Sequence, residues 1–306
     1  MSYITIDNLT NIMAEMTDYC NAACPMCNRY DWDLNLVKGV TNTHHTTLDF
    51  VKQRIGEEVI SKLNGWLCQG TYGDASMNPE TIDIFKYLKG INPNIKIGMI
   101  TNGGARNTEF WKTLAELNVC VTFSIDGLED TNHIYRVGVQ FKKIMENAQA
   151  YIDAGASAHW DMLVFDHNKH QVDECRQLAD TMGFTWFRSK ETDRWDQYQF
   201  DHLKPANKIN EVDYQSIDRI HCERNIEEST YVDYKGQEFP CCHISEMYYD
   251  ATQKESHLDI RQYTPSELMT EYQKRLDDKN PFYVCKRSCG ETVSKRSQWK
   301  QEIQLR

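Results

Sequence analysis

Apolar residues along the first two thirds of this chain alternate between short runs and stripes of helical period. Asn11-Ile12-Met13-Ala14-Glu15-Met16-Thr17 alternates in part and predicts a first strand. Apolar positions 48, 51, 55, 59 and 63 predict a helix from about 48 to 63, with Thr47 as its N-cap. Residues 66–70 read as a short buried strand, and Asn78-Pro79-Glu80 opens the next helix with a cap and a proline at the first helical position. The rhythm continues through a strand at 96–100, a helix over 107–117 and a strand at 119–124. Phe141, Ile144, Met145, Ala148 and Ile152 then mark one face of a helix that Gly155 ends. Strands at 158–165 and 184–188 flank a helix over 168–182. Repeated β-then-α units predict an α/β fold, a parallel sheet wrapped by helices, either open and doubly wound or closed as an incomplete barrel. In both, ligands bind at the carboxyl ends of the strands. Those ends carry residues 20–27, 70–74, 101–103 and 124–127, which converge on one site.

Beyond residue 190 the pattern changes. Residues 191–216 are charged and poor in aliphatic side chains, and read as a linker crossing the mouth of the first domain. Residues 231–241 predict a β-hairpin turning at Lys235-Gly236, and 265–277 a helix. The expected domains are therefore 1–190 and 217–306, joined by that linker. A net charge of −11 argues against a general nucleic-acid binder or a partner for anionic membranes. The locally basic stretch 286–306 reads as a solvated helix face. Met1 to Asn11 carries no apolar targeting core, and no apolar run approaches the ~18 residues of a membrane span, so a cytoplasmic protein is expected. In a reducing compartment, 11 cysteines point to metal ligands plus a few buried thiols.

Two cysteine groups stand out. Cys20-Asn21-Ala22-Ala23-Cys24-Pro25-Met26-Cys27 is C-x3-C-x2-C, and three thiolates on one loop can hold three irons of a cubane iron–sulfur cluster. The fourth iron then lacks a protein ligand and is open to a small molecule. The second group is Cys222, Cys241, Cys242, Cys285 and Cys289. Its spacing also suits a structural zinc site with four cysteine ligands. Cys68, Cys120 and Cys175 read as buried small hydrophobes, and His44-His45 as loop residues.

Over residues 10–190 the chain resembles a radical S-adenosylmethionine (radical SAM) enzyme. The C-x3-C-x2-C loop after the first strand is similar to that superfamily's cluster loop. Tyr72-Gly73-Asp74-Ala75-Ser76-Met77-Asn78-Pro79 resembles its Gly-Gly-Glu-Pro segment, with a bulky first residue and a carboxylate one methylene shorter. Thr101-Asn102-Gly103, and Ser124-Ile125-Asp126-Gly127 followed by His133, Tyr135 and Arg136, resemble the subfamily with C-terminal auxiliary-cluster domains. Met26 stands where an aromatic residue often packs on adenine, and its polarizable thioether can still cover a ring.

The resemblance implies a partial (β/α)6 TIM-like barrel with a small C-terminal α+β domain of the shortened auxiliary-cluster type called Twitch, related to the two-cluster SPASM module. It implies S-adenosylmethionine held by Met26, Tyr72, Gly73, Asp74, Asn102, Ser124 and Arg136. It further implies one 4Fe–4S cluster on Cys20, Cys24 and Cys27 and a second on Cys222, Cys241, Cys285 and Cys289, with Cys241 preferred to Cys242. The activity it implies is reductive cleavage of SAM to a 5′-deoxyadenosyl radical that abstracts hydrogen from a peptide or protein substrate. Arg188 would line the substrate cleft, and flavodoxin or ferredoxin would supply electrons. Dehydrogenation of a small molecule, or a non-catalytic iron–sulfur or zinc protein on a retained barrel, are the alternatives.

Overall fold

The computed structural model describes residues 8–31, 33–191, 200–206, 217, 219–249, 260, 262–290 and 301–305. Strands β1 (Asn11–Ala14), β2 (Gly65–Cys68), β3 (Lys96–Thr101), β4 (Val119–Ser124), β5 (Ala158–Val164) and β6 (Trp186–Glu191) lie side by side in chain order. Every neighbouring pair among them is parallel. An order that never reverses, joined by right-handed crossovers, sends all the connecting helices to one face of the sheet. That is the wall of a barrel, and it excludes the doubly wound alternative.

The burial pattern agrees. Trp66, Ile97, Met99, Val121, Phe123, Trp160 and Phe187 point to the helix side and are buried. Their alternate neighbours Gly98, Ile100, Thr122, Ser124, His159, Asp161 and Arg188 are half-buried on the inner face. Helices α1 (Leu48–Phe50), α2 (Gly56–Lys62), α3 (Thr81–Ile91), α4 (Thr108–Glu116), α5 (Asn132–Tyr135), α6 (Phe141–Asp153) and α7 (Val172–Met182) supply the crossovers.

The sheet is wider than six strands. After α8 (Glu223–Ile226), β7 (Ser229–Val232) pairs parallel with β1, setting Asn11 opposite Ser229. The two-residue β8 (Glu238–Phe239) turns back antiparallel on β7, forming the expected hairpin. At the other edge, β9 (Gln301–Gln304) pairs antiparallel with β6. The C-terminal part thus shares the barrel's sheet through backbone hydrogen bonds. Its helices α9 (Cys242–Tyr249), α10 (Pro265–Asp277) and α11 (Tyr283–Cys289) follow. A second apolar cluster, built on Tyr72, Tyr231, Phe239, Ile244, Leu268 and Phe282, lies beside the barrel core.

Several local expectations are corrected. The helix expected over 48–63 divides into α1, a wider π-helical turn (Val51–Ile55) and α2, because Gly56 at the junction takes φ +77°. Thr47 does cap its start, accepting from the Phe50 N–H at 3.1 Å. Asn78 does not cap α3; its buried amide donates to the Met16 and Thr46 carbonyls, both at 2.7 Å. The sixth strand runs to Glu191, and Phe187 faces the helices. Of the expected linker, 192–199 and 207–216 lie outside the described residues, and Leu203 is wholly buried in the main core. The basic stretch holds the end of α11 and strand β9, while 291–300 and 306 lie outside the described residues. No described helix is long and apolar enough to cross a membrane.

Candidate functional site

From β1 the chain passes through Glu15 and Asp18 into the cysteine loop at the carboxyl end of the barrel. The loop is folded by its own backbone: the Cys27 N–H donates to the Cys24 carbonyl at 3.1 Å, and the Tyr30 N–H to that of Cys27 at 3.0 Å. Ala23 N–H donates to the Val137 carbonyl at 2.9 Å, which ties the loop to the segment beyond β4. Cys20 and Cys27 are half-buried and Cys24 is buried. Asn102 Nδ2 lies 3.6 Å from Cys20 Sγ, and Arg136 Nη1 lies 3.7 Å from Cys24 Sγ. Burial pushes the Cys24 thiol up to about 11, although Arg136 pulls it down. Cys20 moves further the same way, with the Asp74 carboxylate adding to burial.

Thiols held like this ionise when a metal takes the charge, which is the donor chemistry of cluster ligation. Among the described residues, the trio of metal-binding side chains whose donor atoms lie within 4.8 Å of one another is elsewhere, at Cys242, His243 and Glu246. At least one sulfur–sulfur separation among Cys20, Cys24 and Cys27 therefore exceeds 4.8 Å. A single tetrahedral zinc, with Zn–S bonds of ~2.3 Å, would draw them to about 4 Å. The wider spread suits a cubane, in which each thiolate has its own iron.

The loop is braced by polar side chains that sequence reading overlooked. Arg29 is buried, with its guanidinium donating to the Ala22 carbonyl at 3.4 Å, the Asp18 carbonyl at 3.3 Å and Asn42 Oδ1. Among the described residues no carboxylate lies within ion-pair distance of it. The buried Asp18 carboxylate accepts from the Thr41 and His44 N–H groups at 2.8 and 2.9 Å. His44 Nδ1 reaches the same carboxylate and His45 Nδ1 reaches Thr17 Oγ1, so both histidines are loop-bracing residues, as expected.

At the end of β2, Asp74 N–H donates to the Tyr19 carbonyl at 2.9 Å. The Asp74 carboxylate accepts from Ser76 N and Oγ, Thr101 Oγ1, and Asn102 N and Nδ2, all at 2.6 to 3.0 Å. It thereby locks the ends of β2 and β3 together beside Cys20. Gly73 is required sterically, since a Cβ there would run into the Thr17 carbonyl. Tyr72 sends its ring into the second apolar cluster, edge-on to Tyr234 and Tyr249 at 5.6 Å, with its hydroxyl 3.4 Å from Ser245 Oγ. The bulky residue in place of the family's first glycine thus packs against the C-terminal part. Met26 is fully buried.

Ser124, half-buried at the end of β4, makes no side-chain hydrogen bond among the described residues and opens to the barrel interior. Two residues on, Asp126 is fully buried and pairs with Arg136 Nε at 2.6 Å. Arg136 is therefore the half-buried partner of a buried carboxylate, beside Cys24. Asp161 is the in-register neighbour of both Ser124 and Arg188, and its carboxylate takes the Arg188 guanidinium in a two-pronged pair. Sequence reading selected Arg188 without this partner. Cys120 is exposed on the inner face, 3.9 Å from His159 Nε2, contrary to the buried thiol expected; Cys68 and Cys175 are buried.

In the C-terminal part, Cys222, Cys241, Cys285 and Cys289 come into electrostatic reach of one another. His221 N–H donates to the Cys289 carbonyl at 2.8 Å, bringing the segment before α8 against the end of α11. Cys242, the adjacent alternative, interacts most strongly with Glu246 on its own helix.

Glu15, fully buried at the end of β1, accepts from the Thr71 and Tyr72 N–H groups at 2.7 and 3.1 Å. Burial pushes its carboxyl up to about 7 from 4.5, outweighing those two donors. Between these values the folded chain binds more protons than the unfolded one, so stability from this group is full at acid pH and is lost as pH rises towards 7. Glu15→Gln is expected to flatten the fall in unfolding free energy across this window, read by anaerobic urea titration at several pH values. An unchanged slope would assign it to other groups.

A family model described as the radical SAM superfamily matches residues 14–179. No curated protein matches the chain. Among solved structures, the chain is similar to Streptococcus suis SuiB bound to S-adenosylmethionine, with a TM-score of 0.59 and 12% identity over 86% of this chain and 67% of that one. SuiB bound to precursor peptide SuiA gives a TM-score of 0.58 at 12% identity, over 91% and 70% of the two chains. Native anSMEcpe with bound AdoMet gives 0.55 at 13% identity, over 92% and 89%. At such identities the likeness is one of fold.

Proposed function

This chain belongs to the radical SAM superfamily, and from that membership we propose that it reductively cleaves S-adenosylmethionine and abstracts hydrogen from a peptide or protein substrate. The observation that carries the reading is the C-x3-C-x2-C loop following β1 at the carboxyl end of a parallel barrel, with Asn102 and Arg136 beside its sulfurs. Cys20, Cys24 and Cys27 would hold a 4Fe–4S cluster, which would supply the electron for reductive cleavage of bound SAM.

The chain's own residues bind, orient and exclude water. Asn102 and Arg136 direct N–H groups at the Cys20 and Cys24 sulfurs. Ser124 and the free edge of Arg136 are the polar contacts for SAM, with the Gly73-Asp74 backbone and Asn102 at its amino-acid end and Met26 behind its ring. Tyr72 contributes through its backbone, since its side chain is committed to the second apolar cluster. Arg188, held by Asp161, presents a charged group to substrate from the inner face of β6.

Cys222, Cys241, Cys285 and Cys289 would hold a second, fully ligated 4Fe–4S cluster, which would supply an electron acceptor near the substrate. The reading of a peptide substrate is supported by two fold relatives: SuiB bound to precursor peptide SuiA, and anSMEcpe with AdoMet and Kp18Cys peptide. The enzyme works in the cytoplasm with flavodoxin or ferredoxin as donor.

Anaerobic reconstitution tests this directly. About eight irons per chain and dithionite-dependent release of 5′-deoxyadenosine are expected. Absence of cleavage by fully loaded protein would favour a non-catalytic iron–sulfur protein, and zinc in place of half the iron would remove the second cluster.

A further inference from the structure

The opening of α9 brings together a thiol, an imidazole and a carboxylate outside the proposed ligand sets of the two clusters. We infer that Cys242, His243 and Glu246 form a binding site for a single zinc ion, on the reading that Cys241 belongs to the C-terminal cysteine group and Cys242 does not. The sulfur, the imidazole nitrogen and a carboxylate oxygen all lie within 4.8 Å of one another. His243 Nδ1 and Glu246 Oε2 are 3.5 Å apart.

The spacing explains the convergence. Residues i and i+4 share a helix face, so Glu246 lies over Cys242, while His243 is three residues from Glu246 and flanks the same turn. A thiolate on the first helical residue is favoured by the exposed N–H groups there. Thiolate, imidazole and carboxylate together form a donor set that zinc takes readily. Three protein ligands leave a fourth position for water or a substrate group, the arrangement of zinc sites that act as Lewis acids. His243 is half-exposed and gives the ion a way in, while Cys242 is buried.

The helix that carries the site packs against β8 and α11, and the Tyr72 hydroxyl reaches Ser245 on it at 3.4 Å.

The test is simultaneous zinc and iron analysis of the full chain purified anaerobically, with cobalt(II) titration of zinc-stripped protein. About one zinc per chain is expected, and cobalt should give thiolate charge-transfer absorption. Cys242→Ser, His243→Ala and Glu246→Gln should each weaken zinc binding roughly a hundredfold or more, because losing even an outer partner of a ligand costs about 10–100-fold. Iron content should stay at the wild-type level in all three. His243→Ala, at a half-exposed position, keeps the test open if the buried Cys242 variant fails to fold. Wild-type protein that takes up no zinc, or variants that retain it, would overturn the proposal. Loss of iron in Cys242→Ser would instead assign that thiol to the cluster. Iron content and SAM cleavage are read separately, so failure of the proposed activity is distinguishable from failure of this site.

Discussion

Replacing Cys20, Cys24 and Cys27 together by alanine is expected to abolish release of 5′-deoxyadenosine and to remove about half of the iron. The three thiols stand on one loop that the fold supports independently of any ligand. Its turns are closed by backbone hydrogen bonds, and Arg29 and Asp18 brace it from within. The variant should therefore keep its barrel, which far-UV circular dichroism would report. The C-terminal cysteines rest on a different apolar cluster and should retain their share of iron. Anaerobic product analysis with dithionite and colorimetric iron counting on the same sample decide the matter. Persistent cleavage would show that the loop is not the site of electron transfer to SAM. Complete loss of iron would show that the two groups do not load independently.

The parts of this fold that local sequence dictates were legible, and those that distance dictates were not. Alternating strands and amphipathic helices through residue 182 follow from periodicity, but the choice between a doubly wound sheet and a barrel needed the spatial order of the strands. By contrast, β7 pairs with β1 across more than two hundred residues of chain, and no local signal in Ser229–Val232 announces that partner. The π-helical turn before Gly56 also escaped, because apolar spacing reads the same through it.

The site shows the same division. The cysteine spacing and the glycine-rich strand ends were visible as motifs. Glu15 and Arg29 were not, because their meaning depends on burial, and a charged residue beside an apolar run is ordinarily solvated. Tyr72 illustrates how the two combine. As sequence it was a departure from Gly-Gly-Glu; in the fold its ring packs the loop after β2 on the C-terminal part.

Arg136→Met is expected to destabilise the chain by about 3–5 kcal/mol, the range seen when one partner of a buried ion pair is removed. Asp126 has no access to solvent and depends on Arg136 Nε at 2.6 Å and the Leu163 N–H at 2.6 Å. Burial already raises its carboxyl, and Arg136 is the group that most offsets this. Methionine fills similar volume and leaves the carboxylate without its counter-charge, so Asp126 in the variant is raised further. A raised carboxyl favours the folded state most at acid pH, where it is protonated, and loses that advantage as pH rises. The deficit of the variant relative to wild type should therefore be smallest at acid pH and grow towards neutrality. Asp126→Asn combined with Arg136→Met should recover part of the loss, since the uncompensated charge is gone. Urea unfolding under anaerobic conditions at several pH values measures all three chains. A deficit independent of pH would mean that Arg136 acts by packing against Tyr135, whose ring it covers at 5.2 Å, and not as the counter-charge of Asp126.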